Sequence, residues 1–252
     1  MSMFLSILGL GFLLGIRHAT DADHVVAITT MISKEKAVKH AAIIGIFWGI
    51  GHSLTVTFIA IPIILFSLVI PPRIGLGLEF IVGIMLVTLG ILNLSGIASH
   101  IAKRYTSIVH SHEHECPEGG KHTHLHAHKS SPDHDHSNHL SIFQIVRPLI
   151  VGLIHGLAGS AAIALLILST IHDPKQAILY LLLFHVGVVT GMMIITTLMG
   201  ASVKLAKQQG ASVHKYLVIA SGILSILFGL FVMYETGIVD GLFSATVHWS
   251  PK

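Results

Sequence analysis

Apolar and polar positions along the chain fall into long blocks. Residues 41–70, 148–171, 176–203 and 216–234 contain no Asp, Glu, Lys or Arg, and each is close to or beyond the ~20 residues that cross a bilayer as helix. Residues 74–99 form a fifth block, interrupted only by Glu79. Residues 3–32 make a sixth, in which two uncharged runs flank Arg17-His18-Ala19-Thr20-Asp21-Ala22-Asp23-His24. The pattern predicts an all-α fold, an integral membrane bundle of six transmembrane helices.

Composition agrees. Of 252 residues 52% are hydrophobic and 11% charged, with a mean hydropathy of +0.79, whereas about a quarter of a soluble domain is charged. The opening block does not read as a signal peptide: no Lys or Arg precedes it, and hydrophobicity resumes directly after the polar cluster. The lone Cys116 stands in a polar segment, so no disulfide framework is expected.

Charge distribution sets the expected orientation. Lys34, Lys36 and Lys39 fall in the first loop, Lys103, Arg104, Lys121, Lys129 and Arg147 in the third, and Lys204, Lys207 and Lys215 in the fifth; the opposite side holds Arg73, Lys175 and Lys252. Eleven against three is a positive-inside bias. It places the protein in the cell (inner) membrane with the third loop cytoplasmic and both termini outside. The basic residues are spread over short loops without an aromatic stacking platform, so no nucleic-acid partner is expected.

The second half resembles the first. Gly152-Leu153-Ile154-His155-Gly156 stands 137 residues after Gly15-Ile16-Arg17-His18-Ala19, and Gly222-Ile223 with Gly229 stands 139 residues after Gly83-Ile84 with Gly90. Three helices per copy is an odd number, so the copies would cross in opposite directions, as inverted repeats of secondary transporters do. The expected organisation is a first three-helix repeat at 1–99, a His-rich cytoplasmic loop at 100–145 and a second repeat at 146–252.

Ionisable residues inside a membrane segment are functional by default. On a straight helix His18, Asp21 and His24 fall within about 120° of one another and Asp23 points nearly opposite. Arg17 and Asp21, at i and i+4, can pair. Unwinding around Ala19 to Ala22 would bring Asp23 to both histidines, and broken helices are common at transporter sites. Imidazole plus carboxylate suits a divalent first-row metal, and the absence of Cys at membrane depth argues against a site for soft ions. His52, His155 and His185 each stand alone in another apolar block. The candidate metal ligands are therefore His18, Asp21, Asp23, His24, His52, His155 and His185.

The loop carries eleven of the twenty histidines, in runs such as His110-x-His112-x-His114 and His122-x-His124-x-His126-x-His128. Such tracts are a compositional signal of nickel, cobalt, zinc or copper binding, here read as metal buffering, the alternative being an unselective tether that merely tolerates histidine.

Arg-His-Ala-x-Asp-Ala-Asp-His, with His18, Asp23 and His24, resembles the signature of the nickel/cobalt transporter family of bacteria, archaea and fungi, and Gly51-His52-Ser53 resembles that family's second motif. The resemblance implies a multi-span helical carrier of Ni²⁺ and Co²⁺ that needs the signature histidines and aspartate. The metal is then transported substrate, and no prosthetic group is expected. Two departures point to a shorter urease-accessory-like or efflux-like branch: the span count is below that of the high-affinity uptake branch, and Gly152 to Ser160 replaces its third, acid-rich motif. Uptake is slightly favoured over export. Expected partners are the metal ion and the lipid bilayer, with a homo-oligomer or metallochaperone left open. The alternatives are a metal-binding accessory or sensor and, as a minor reading, a membrane acyltransferase using His18 as base and Asp23 to orient it; otherwise the chain is no enzyme.

Overall fold

In the computed structural model, residues 2–35, 37–66, 71–95, 111–115, 121–125, 142–157, 170–171 and 173–248 are described. Helix α1 (Ser2–His18) is followed closely by α2 (Ala22–Ile32), then α3 (Val38–Phe66) and α4 (Pro72–Ser95). Two strands, β1 (Ser111–Glu115) and β2 (Lys121–Leu125), precede α5 (Ile142–His155), α6 (Pro174–Gln208) and α7 (Ala211–Tyr234). A π-helical turn, Glu235–Val239, continues α7.

Four of these helices are long and apolar enough to cross a membrane: α3, α4, α6, and α7 with its π turn. The six expected spans are thus described only in part. The first is divided into two shorter apolar helices, α1 and α2. The fourth is described as far as α5 and its following turn, and its remainder, 158–169, lies outside the described residues. So do 67–70, 96–99 and the His-rich loop apart from β1, β2 and residues 142–145, with which α5 begins.

The division of the first span has a local cause. Thr20 Oγ1 donates to Arg17 O at 2.5 Å, and the backbone tightens into turns, with Thr20 N donating to Arg17 O and Asp21 N to His18 O. Asp21 then leaves helical geometry at ψ 147° and stands as the N-cap residue of α2. Its carboxylate makes no capping bond, because it is engaged by His18.

The helices pack through close backbone approaches. α1 lies along α6 and α5 along α3; α3 packs on α6, and α4 on α7. A Cβ at Gly15 would strike Phe184 O and Val188 N, and one at Gly187 would strike Phe12 O. Across the other pair, a Cβ at Gly152 would strike Trp48 O and His52 N, and one at Gly51 would strike Leu149 O. Small residues let membrane helices pack this closely where no hydrophobic effect drives them together. Outward faces are apolar, with Leu13, Phe58, Leu65, Leu198 and Leu227 exposed.

At the expected inner end, Asn93 joins three helices. Its Nδ2 donates to Ser221 Oγ (3.1 Å) and Val218 O (3.2 Å), and its Oδ1 accepts from Ser33 Oγ (3.3 Å). Lys34 Nζ caps α4 by donating to Asn93 O at 2.5 Å, and Lys207 Nζ donates to Glu35 O. β1 and β2 pair antiparallel, the one departure among the described residues from an all-α fold.

Candidate metal centre

Four helical segments converge on one buried group of imidazoles. His18 ends α1, His24 lies in the first turn of α2, His52 sits midway along α3, and His155 ends α5. His24, His52 and His155 are fully buried and His18 nearly so. The ring centroids of His24 lie 4.7 Å from those of His18, 5.2 Å from His52 and 4.2 Å from His155.

Carboxylates fix two of the rings. His18 Nδ1 lies 2.9 Å from Asp21 Oδ2, and His24 Nδ1 lies 3.0 Å from Asp23 Oδ1, which also accepts from the His24 backbone N–H at 2.9 Å. With each Nδ1–H donated to a carboxylate, each Nε2 carries the lone pair, the arrangement that orients histidine toward a metal. His24 Nε2 is buried without a hydrogen-bond partner. His18 Nε2 lies 2.9 Å from His52 Nε2. The His18 tautomer makes His52 the donor in that pair and leaves His52 Nδ1 bare, and that atom is indeed buried and unpartnered. For His52 Nε2 to ligate, the ring must adopt its other tautomer, which costs no net proton.

Two sets of three ligand atoms result, each lying within 4.8 Å: His18, His24 and His52, and Asp23, His24 and His155. They share His24. Metal–nitrogen bonds of about 2.0–2.1 Å limit ligand separations to about 4.2 Å, so either set closes on an ion with small side-chain movements. The first set offers three neutral nitrogens, the second two nitrogens and a carboxylate, and both fit a borderline divalent ion.

The break at Ala19–Asp21 meets the expectation in part: it brings Asp23 to His24, while the carboxylate that engages His18 is that of Asp21. Asp23 reaches His24 and, through Oδ2, lies 3.1 Å from His155 Nε2. Asp21 meets His18 from the outer side and is 38% exposed, behind the ring. Arg17 is exposed, and it is His18 that engages the Asp21 carboxylate. His185 stands apart from both sets, its Nε2 2.7 Å from Thr57 Oγ1 at the α3–α6 interface. The sequence reading did not single out Trp48, which stacks on His24 at 5.6 Å and meets His155 edge-on at 5.5 Å. Its signal was available: Trp48 and His52 are one turn apart and share a helix face. Phe184 lies 5.8 Å from His18.

Residues 4–234 match the family model described as high-affinity nickel-transport protein. The chain belongs to this nickel-transport family. It is also 37% identical over 239 residues, 95% of each chain, to the urease accessory protein UreH of Bacillus sp. (strain TB-90). No solved structure matches. Membership in the nickel-transport family, with four apolar helices of spanning length, makes this a multi-pass membrane protein of metal transport and agrees with the shorter, urease-accessory-like branch.

Proposed function

We propose that the protein carries a divalent first-row metal, nickel foremost and cobalt as a second substrate, through the cluster of His18, Asp23, His24, His52 and His155. The observation that carries this reading is the pair of ligand sets sharing His24, whose Nε2 is buried and bare. A divalent ion satisfies that atom, and His24 holds the ion while the remaining ligands exchange. His18 and His52 give way to Asp23 and His155, and the added carboxylate compensates charge as hydration is lost. Asp21 orients His18, and His185 lies off this path.

The two sets draw on both halves of the chain, which supports a six-span inverted repeat. His155 follows His18 by 137 residues. The contacts of Gly15 with Phe184 and Val188 recur as those of Gly152 with Trp48 and His52, and Gly83 against Gly229 O recurs as Gly222 against Gly90 O. Packing related in this way favours a site where the copies meet, near the bilayer midplane.

The direction favoured is uptake, with the basic loops inside and both termini outside. An inside-negative potential favours dication entry by about 4.6 kcal/mol per 100 mV, whereas export needs a coupled energy source. The name of the Bacillus relative, urease accessory protein, favours a second reading: a membrane protein that binds metal for delivery without moving it.

Accumulation of radioactive nickel in metal-sensitive cells tests the proposal, comparing intact protein, His18→Ala and empty vector at equal expression. Higher accumulation lost in the variant supports uptake through this site. Lower accumulation lost in the variant reverses the direction. Accumulation equal to empty vector for both, with cobalt alike, overturns transport in favour of the accessory reading.

A further inference from the structure

Two tightly packed helix pairs leave a slot between them. α5 lies along α3 and α4 along α7, and where α4 faces α5 an apolar groove of about 480 Å³ stays open. Sites that hold small organic molecules run to about 300–1,000 Å³. Met85, Leu89 and Val151 form its buried floor, and the exposed side chains of Ile81, Ile84 and Ile150 form its rims. Thr88 also lines it, but its Oγ1 donates to Ile84 O at 2.8 Å, so this hydroxyl asks nothing of a ligand.

The helices set the direction and length of the slot. On α4 it runs from Ile81 to Leu92, a rise of about 16 Å along a helix, close to one leaflet of a hydrocarbon core ~30 Å thick. On α5 it runs from Ile154, beside His155 of the imidazole cluster, to Arg147, toward the cytoplasmic side that the basic loops mark. Its length is that of an acyl chain of the inner leaflet.

Among the lining residues charge is confined to the inner end. Arg147 lines the slot there, and Lys34 Nζ donates to Asn93 O, one residue beyond Leu92. Burial, and then the Arg147 charge, push the Lys34 ammonium below its ordinary value of 10.5, as cations held close together do to each other. Lys207 stands with them, donating to Glu35 O, and Glu35 is the one carboxylate that acts on Arg147 among the described residues. Three cations against one acid leave positive charge unanswered. Basic pockets between helices on the cytoplasmic side suit anionic lipid headgroups, and the guanidinium fork matches a phosphate.

We propose that the slot between α4 and α5 is a site for one anionic phospholipid of the inner leaflet, its acyl chain along Ile84 and Ile150 and its phosphate on Arg147 and Lys34. The lipid fills the space where α4 and α5 lack direct packing, and so braces the helix that carries His155. A zwitterionic lipid brings the same chain with a headgroup of no net charge and is the weaker ligand. The site stands whether or not the imidazole cluster transports metal.

The test uses the full chain, stripped of lipid in a neutral detergent and titrated with dioleoyl-phosphatidylglycerol, dioleoyl-phosphatidylcholine or glycerol 3-phosphate, with bound lipid counted by native mass spectrometry. Phosphatidylglycerol is expected to bind as one molecule per chain and roughly 30-fold more tightly than phosphatidylcholine, the effect of two basic groups near a membrane surface. Arg147→Gln is expected to lose at least about fivefold of that preference, while Lys215→Gln, which removes an exposed charge from the same side, keeps it. Ile84→Trp fills the slot with both cations in place and is expected to abolish tight binding. Equal binding of the two lipids, an Arg147→Gln variant that binds as the parent does, or full binding by Ile84→Trp overturns the proposal. Displacement of the lipid by glycerol 3-phosphate would make the mouth a site for free phosphate, and a parent protein that takes up no lipid would mean that a second copy or another stretch of chain fills the slot; either result overturns it as well. The comparison of the two lipids needs no variant, so it decides the matter even where a variant fails to fold.

Discussion

Asp23 Oδ2 lies 3.1 Å from His155 Nε2, a contact between residues 132 positions apart. Asp23 Oδ1 meanwhile accepts from His24 Nδ1. The two carboxylates of the cluster therefore differ in placement: Asp23 faces two imidazoles, whereas Asp21 meets His18 from its exposed side. Asp23→Asn is expected to abolish nickel accumulation above empty vector. Asp21→Asn is expected to weaken the apparent affinity by roughly 10–100-fold, the usual effect of losing a group that orients a metal ligand. Nickel uptake measured against concentration separates the two, and equal loss in both variants would make Asp21 a direct ligand.

His185 is predicted to be dispensable for metal binding. Its Nε2 is engaged with Thr57 Oγ1 and neither ligand set includes it. His185→Gln keeps a nitrogen donor near Thr57 and is expected to leave nickel accumulation close to that of the parent, while His52→Gln removes it. A collapse of transport in both would bring His185 into the path.

Glycine contacts give a stability prediction with a built-in control. Gly51→Ala and Gly152→Ala place a methyl group against a backbone carbonyl of the partner helix, where neither side can yield without separating α3 from α5. Each is expected to cost about 1–3 kcal/mol, the range for overpacking. Gly77→Ala meets nothing within 4 Å and is expected to be neutral. Thermal unfolding in one detergent, with and without nickel, measures both the loss and any separate effect on the site.

Much of this was legible in the sequence because intramembrane charge is conspicuous. Block hydropathy gave the long helices, and the Arg17 to His24 stretch marked both the buried imidazole cluster and the helix break beside it. His52 and His155 stood out as lone polar groups in apolar runs. What periodicity could not separate was a member of the cluster from a residue of similar appearance outside it. His185 has the same isolation as His155, and only the packing of α3 on α6 gives it Thr57 instead of the cluster. Asp21 and Asp23 differ by two positions, and a straight helix would turn Asp21 rather than Asp23 toward His24; which carboxylate joins the cluster depends on where the backbone leaves helical geometry. Trp48 carries no charge to mark it, and its place above His24 follows from tertiary packing.

Glu35 supplies a pH dependence outside the membrane helices. Burial holds its carboxyl above the ordinary value of 4.5, although His40, Arg147 and Lys207 pull the other way; His40 Nδ1 is 3.9 Å from Glu35 Oε2. A carboxyl raised in the folded state binds more protons there than in the unfolded chain, so its contribution to stability is most favourable below the unfolded value and is lost as pH rises through the folded value. At neutral pH the ionised group is therefore a net cost, since desolvation outweighs its three partners. Glu35→Gln is expected to raise the thermal unfolding midpoint at pH 7, with the gain shrinking as pH falls toward and below 4.5. A midpoint that instead drops at pH 7 would mean that the links to His40, Arg147 and Lys207 outweigh burial and make Glu35 a stabilising tie at this end of the bundle.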